Sequence, residues 1–193
     1  MCGICGVLNF QRNQPVDPDI LAAMKEALRH RGPDEEGSYL DGPVGLGHCR
    51  LSIIDLETGR QPIHNENRTI WIVFNGEIYN APDLRVQLEK LGHSFYTRSD
   101  TEVIVHAYEQ YGLESAKFLN GMFAFAIWDS SRQRLFMARD RVGIKPLYHT
   151  EVNGTLLFGS ELKAILAYPA IEREIDVTAL NQYLTFEYVP TPR

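Results

Sequence analysis

The sequence predicts a layered α+β domain. Short apolar runs bounded by Gly, Asn, Asp or Pro read as strands, and amphipathic segments with apolar residues three and four apart lie between them. The strands come as hairpin pairs with helices between the hairpins, which suits antiparallel sheets covered by helices. A chain of 193 residues suits one such domain and is long enough to bury a core.

The elements follow in order. Residues 2–10 (CGICGVLNF) are apolar and give way to the polar run Gln11–Gln14, a buried strand. Asp17-Pro18 places an N-cap before a proline at the first helical position. The helix then carries Ile20, Leu21, Met24, Ala27 and Leu28 and stops at Gly32-Pro33. Residues 37–54 read as two strands joined by Asp41-Gly42-Pro43. A strand over Thr69–Phe74 ends at Asn75-Gly76. Asn80 and Pro82 open a helix with Leu84, Val86, Leu88 and Leu91. Ser99-Asp100-Thr101-Glu102 is a capping box ahead of a helix with Val103, Ile104, Ala107 and Tyr108. Residues 121–139 form a hairpin about Asp129-Ser130-Ser131-Arg132. A strand over Thr155–Phe158 leads to a helix capped by Ser160, and a last helix begins near Asp176. Phe186–Arg193, with two prolines, reads as a linker.

Composition excludes several classes. The formal charge is −6, against a basic surface for nucleic acid or anionic membrane. No apolar run approaches the ~18 residues of a spanning helix. The start lacks a basic n-region, and Asn9, Gln11 and Arg12 interrupt any signal-peptide core. Three cysteines, an odd number, make no disulfide framework, which points to the cytoplasm.

Cys2 is the chemically unusual residue. With Met1 removed it carries a thiol and a free α-amine, whose unperturbed pKa values are roughly 8.5 and 7.7–8.0. The amine can then serve as base for the thiol; against this, many second residues do nothing. Cys2-Gly3-Ile4-Cys5 also has C-x-x-C form, but in a strand residues 2 and 5 face opposite sides. Cys49 stands alone beside His48, and no spaced His pair completes a zinc site. Cys5 and Cys49 read better as core residues.

Other positions carry two readings each. Asn75-Gly76 is the strongest short hairpin signal, yet Glu77–Pro82 moves toward a helix start. A side-chain amide and a glycine N–H there could instead stabilise an oxyanion. Arg50 is an edge-strand arginine or a fork for a carboxylate. Asp100 complements a helix dipole or holds an ammonium. Arg139, Asp140, Arg141 and Lys145 read as a solvated charged rim.

Taken together these pieces resemble the glutaminase domain of glutamine-dependent asparagine synthetases, class II glutamine amidotransferases. The matching segments are CGICGVL (2–8), RHRGPD (29–34), RLSIIDL (50–56), QPI (61–63), FNGEIYN (74–80), SDTEVI (99–104), GMFAFAIWD (121–129), RDRVGIKPLY (139–148) and SELKAI (160–165). The resemblance implies an N-terminal-nucleophile (Ntn) hydrolase fold, a four-layer α/β/β/α sandwich with two antiparallel sheets. It implies Cys2 as nucleophile, Asn75 and Gly76 as the oxyanion hole, and Arg50 with main chain near Ile53 on the glutamine α-carboxylate. Glu77 and Asp100 would hold the α-ammonium, and a closing loop would fall around residues 45–60. No metal or cofactor is implied for this domain. ATP and Mg would belong to a C-terminal synthetase domain that receives ammonia, absent from this chain. On this reading 1–175 is the glutaminase domain and 176–193 the start of the linker, with a homodimer left open. Rival readings are a glutamine-binding module without turnover, an amidotransferase with another acceptor, and a C-x-x-C redox or metal protein.

Overall fold

The computed structural model describes residues 1–11, 13–51 and 59–190. Nine strands are described: β1 Gly3–Asn9, β2 Glu35–Asp41, β3 Val44–Arg50, β4 Ile63–His64, β5 Ile70–Ile78, β6 Gly121–Asp129, β7 Arg134–Arg139, β8 Tyr148–Val152 and β9 Thr155–Gly159. The helices are α1 Pro18–Glu26, α2 Ala81–Lys90, α3 Asp100–Tyr111, α4 Leu162–Ile165 and α5 Val177–Phe186. The strands form two sheets, in the orders β2-β3-β1-β9-β8 and β4-β5-β6-β7, and every pairing is antiparallel.

Strand alternation sorts the core into three slabs. On β5 and β6, Ile72, Phe74, Phe123, Phe125 and Ile127 face α2 and α3, packing on Leu84, Leu88, Ile104 and Tyr108. Their neighbours Val73, Ala124, Ala126 and Trp128 face the other sheet and meet Ile4, Val44, Leu46 and Phe158. On the far side of that sheet Cys5, Val7, Cys49 and Leu157 meet Leu21, Met24 and Leu28 near α1, with Ala164 and Ile165 of α4. The order of layers is therefore helix, sheet, sheet, helix, with period-2 alternation deciding which slab each residue joins.

Two of the expected N-caps are present. Asp17 accepts from Asp19 N at 2.9 Å and Ser99 Oγ from Thr101 N at 3.2 Å. Ser160 does not cap α4, whose N-cap is Glu161 without a side-chain bond, because its hydroxyl is taken by Ile4 N. The capping box is not reciprocal either, since Glu102 accepts from Tyr96 and Thr97 and not from Ser99, whose N–H goes to Thr97 Oγ1. Helix α1 ends at Glu26, earlier than the Gly32-Pro33 stop suggests, and Arg29–Arg31 forms a 3-10 turn. Cys5 and Cys49 are fully buried against the helix layer, as their packing reading required.

Two departures concern Asn-Gly pairs. The strand expected to end at Asn75-Gly76 runs through them to Ile78, with Asn75 opposite Ala124 and Gly76 opposite Phe123. Continued pairing with Gly121–Phe123 overrides the local turn preference. The hairpin lies instead at Asn153-Gly154, where φ is +50° and +75° and β8 turns into β9. Positive φ at both central residues is the type I′ requirement. Strand β8 and the two-residue β4 are further elements that periodicity did not reveal. Helix α5 buries none of its residues, and Val177, Leu180 and Leu184 stand exposed along it.

Candidate active site

The inter-sheet face of three strands opens at one end into a cavity of about 190 Å³. Parity explains which residues reach it. Cys2 precedes β1 in phase with Ile4, Asn75 continues the phase of Val73, and Arg50 continues that of Val44 and Leu46. Cys2, Arg50, Asn75, Gly76, Glu77 and Asp100 all line this cavity. Ile53, expected beside them, lies outside the described residues, as do residues 52–58 of the proposed closing loop. Residues 45–50 of that expected loop are instead buried strand β3, held between β1 and β2.

The start of β1 is tied from two directions. Ser160, fully buried, donates its N–H to the Ile4 carbonyl at 2.8 Å and accepts from Ile4 N through Oγ at 3.0 Å. Arg31 Nε donates to the Cys2 carbonyl at 3.0 Å, and its Nη1 to Glu161 Oε1 at 2.8 Å. Hydrogen bonds from Arg31, His30 and Lys163 hold Glu161 down to a pKa of about 2 against its burial. The 3-10 turn that shortens α1 is what carries Arg31. Cys2 Sγ lies 3.7 Å from the Leu51 carbonyl oxygen.

Strand β5 supplies the next pair. Phe123 directs its N–H and carbonyl toward Asp140, so its partner Gly76 makes no ladder bonds with β6. Phe74, Gly76 and Ile78 therefore point their backbone groups away from β6, past the end of short β4. Gln61 takes over at Phe74, accepting from its N–H at 2.7 Å and donating to its carbonyl at 3.1 Å. Asp100 takes over at Ile78, Oδ2 accepting from its N–H at 2.9 Å. The Gly76 N–H between them has no partner among the described residues. A side chain at Gly76 would meet Met122 O at 2.2 Å, so close packing on β6 demands glycine there.

Asn75 is 2% exposed, and its Nδ2 has no hydrogen-bond partner among the described residues. A buried amide donor without an acceptor costs about 1–3 kcal/mol. The arrangement thus leaves two adjacent donors, one side-chain and one backbone, beside the Cys2 cavity. Beneath them His48 Nε2 lies 3.1 Å from the Phe74 carbonyl. Burial pushes His48 down to about 3, so the neutral ring donates there.

Arg50 is 4% exposed, and its Nη1 donates to Glu35 Oε2 at 2.6 Å, across the β2–β3 register pair. It is no exposed edge arginine. Burial raises the pKa of Asp100, against the N–H bonds from Ile78 and Thr101. Lys145 and Asp140 correct the rim reading: they are 6% and 7% exposed, and Lys145 lines the cavity with Nζ 3.2 Å from Met1 Sδ. Asp140 accepts from the N–H groups of Phe123, Ile144 and Lys145, which lower its pKa. Charge alone mis-assigned this stretch; a buried loop needs an acceptor for its N–H groups.

Comparison with known proteins decides the family. Residues 1–193 match the family described as "Glutamine amidotransferase domain". The chain belongs to that family. Among curated relatives of this amidotransferase domain, asparagine synthetase [glutamine-hydrolyzing] 1 of Bacillus subtilis is 47% identical, over all of this chain and 30% of that protein. Asparagine synthetase [glutamine-hydrolyzing] 3 of the same organism is 43% identical over 94% of the chain and 30% of its own length. The chain therefore spans about a third of these relatives. The solved glutamine phosphoribosylpyrophosphate amidotransferase of B. subtilis superposes with a TM-score of 0.71 at 24% identity, covering 86% of this chain and 43% of that one. The fold is the four-layer Ntn-hydrolase sandwich. Among the described residues no helix is long and apolar enough to cross a membrane.

Proposed function

We propose that this amidotransferase domain hydrolyses glutamine to glutamate and ammonia, with Cys2 as nucleophile once Met1 is removed. One observation carries the reading most directly: the buried, partnerless Asn75 Nδ2 lies on the same cavity as Cys2, Arg50 and Asp100. Arg50 receives the substrate α-carboxylate, with main chain near Ile53, and Asp100 and Glu77 receive the α-ammonium. This places the side-chain amide against Sγ, the positioning part of catalysis.

The Cys2 α-amine takes the thiol proton, and Sγ bonds to the amide carbon while the C=O electrons move to oxygen. Asn75 Nδ2 and the Gly76 N–H donate to that oxyanion. As the C–N bond breaks, the protonated amine gives its proton to the departing ammonia. Water then attacks the γ-glutamyl thioester, releasing glutamate and restoring the thiol.

The names of the relatives support a larger context. The ammonia passes to a synthetase domain that uses ATP and Mg to convert aspartate to asparagine. The exposed apolar face of α5 supports residues 176–193 as the connection to it, and no residue of this chain is assigned to ATP or Mg. The protein is cytoplasmic in this reading.

Intact mass spectra before and after treatment with diazo-oxo-norleucine, beside a glutamate-release assay, test the proposal. Loss of Met1, one adduct mapping to Cys2 and glutamate release support it. A free Cys2 terminus with neither adduct nor glutamate would overturn it in favour of a binding module.

A further inference from the structure

On the opposite side of the second sheet, three segments converge at the outer face of α3. Glu66 lies in the turn before β5, His93 in the loop after α2, and His106 on α3 itself. One donor atom from each lies within 4.8 Å of the others. None of the three lines the Cys2 cavity.

The surroundings are those of an oriented ligand set. Glu109 Oε2 is 2.7 Å from His106 Nδ1 and 3.4 Å from His93 Nδ1, and Asn65 Nδ2 donates to Glu109 Oε1 at 2.7 Å. At His106 a carboxylate on Nδ1 fixes the tautomer that offers Nε2 to a metal. At His93 both ring nitrogens have neighbours, Nδ1 with Glu109 and Nε2 with Gln110 Oε1 at 3.3 Å, a contact the ion would replace. His106 is 0% exposed, and its Nε2 has no hydrogen-bond partner among the described residues. The nearest carboxylate oxygen to that atom, Glu102 Oε1, is 3.5 Å away. Against its burial, Glu102 and Glu109 raise the His106 pKa to about 9, so an ion at this nitrogen displaces a proton. Glu66 is exposed and His93 half-buried, so both side chains can close by the ångström or so that Zn–N and Zn–O bonds of about 2.0–2.2 Å require.

We propose that Glu66, His93 and His106 form a binding site for a divalent transition ion, zinc by the chemistry of its donors. Two imidazoles and one carboxylate with water at the fourth position suit tetrahedral zinc and do not suit magnesium. The ion clips the β4–β5 turn and the 92–97 loop onto α3, the helix whose first residue is Asp100. Its role is structural. Sequence spacing conceals the set because the two histidines lie on different elements.

The test uses the full chain stripped of metal with a chelator, in a Cys2→Ala background that removes the thiolate as a competing zinc ligand. Zinc chloride is titrated by calorimetry and by thermal unfolding, with magnesium chloride alongside. The expected result is one zinc per chain, a raised Tm and no response to magnesium. His93→Gln, at a half-buried position that folding tolerates, weakens zinc by ~10-fold or more and abolishes the Tm rise; even outer-ligand losses cost that much. Cobalt substitution reports an N/O tetrahedral absorption spectrum that His93→Gln removes. Absence of zinc binding, or binding that His93→Gln leaves unchanged, overturns the site and leaves the cluster an ion-paired histidine between Glu102 and Glu109.

Discussion

The chain contains the dipeptide Asn-Gly three times, at 75–76, 120–121 and 153–154, and the first and last copies do opposite things. Asn153-Gly154 turns the chain, with both residues at positive φ and open space where a glycine side chain would project. Asn75-Gly76 stays extended in the middle of a pairing that runs from Ile70 to Ile78. There the glycine is required by the nearness of β6, and the asparagine by what its amide faces. Local preference is the same in both places. What differs is the pairing. β6 continues alongside β5 past the first dipeptide, whereas at the second β8 pairs back onto β9 and the neighbouring chain contributes a single bond, Phe10 N–H to the Gly154 carbonyl at 2.9 Å.

Substitutions at matched positions separate the two uses. Gly76→Ala is expected to have the largest effect, because its Cβ would lie 2.2 Å from a backbone oxygen that cannot move aside. A loss of about 3 kcal/mol or more, read by chemical denaturation, follows from overpacking against main chain. A stable Gly76→Ala protein would mean that β5 and β6 can part here. Asn75→Ala should instead leave stability nearly unchanged, since the lost Nδ2 has no partner, and lower glutamine turnover by ~10²–10³. Unchanged turnover per folded molecule would remove Asn75 from the oxyanion assignment.

A third effect depends on pH. His48 supports the Phe74 carbonyl next to Asn75 and is held neutral, its pKa pushed down to about 3 from an ordinary value near 6.5. The unfolded chain binds the proton more readily, so stability is full above pH ~6.5 and declines as pH falls toward 3. His48→Gln keeps a donor and removes the titration. It should flatten that part of the stability profile, and an unaltered profile would count against His48 as its source. Gly154→Ala should have the smallest effect. A left-handed φ of +75° with no clash costs about 1–2 kcal/mol. Turnover should not change at all, and a drop in turnover would show that the β8–β9 turn reaches the site.

Much of the fold could be read from the sequence. The apolar runs at residues 2–10 and 121–129 and the caps at Asp17 and Ser99 each correspond to an element in the structure. Strands β4 and β8 escaped because neither carries a continuous apolar run; they exist by pairing with β5 and β9. At the site, Cys2 was legible from terminal chemistry, while the remaining roles came with the resemblance. Gln61 carried no local signal, and Ser160 and Lys145 carried misleading ones, a helix cap and a charged rim, because each acts through backbone groups or burial that only the folded chain creates. The segments QPI, SELKAI and RDRVGIKPLY did contain them.

The unfinished edge of β5 has one more consequence. An exposed row of N–H and C=O groups is a template on which a second chain can add a strand. Beyond Ile72 that row would be free, yet Gln61 occupies Phe74 and Asp100 occupies Ile78. Among the described residues a foreign strand finds one vacant rung there, at Gly76, and cannot extend from it. The side chains that isolate a donor for chemistry also keep this edge of β5 from pairing with another strand.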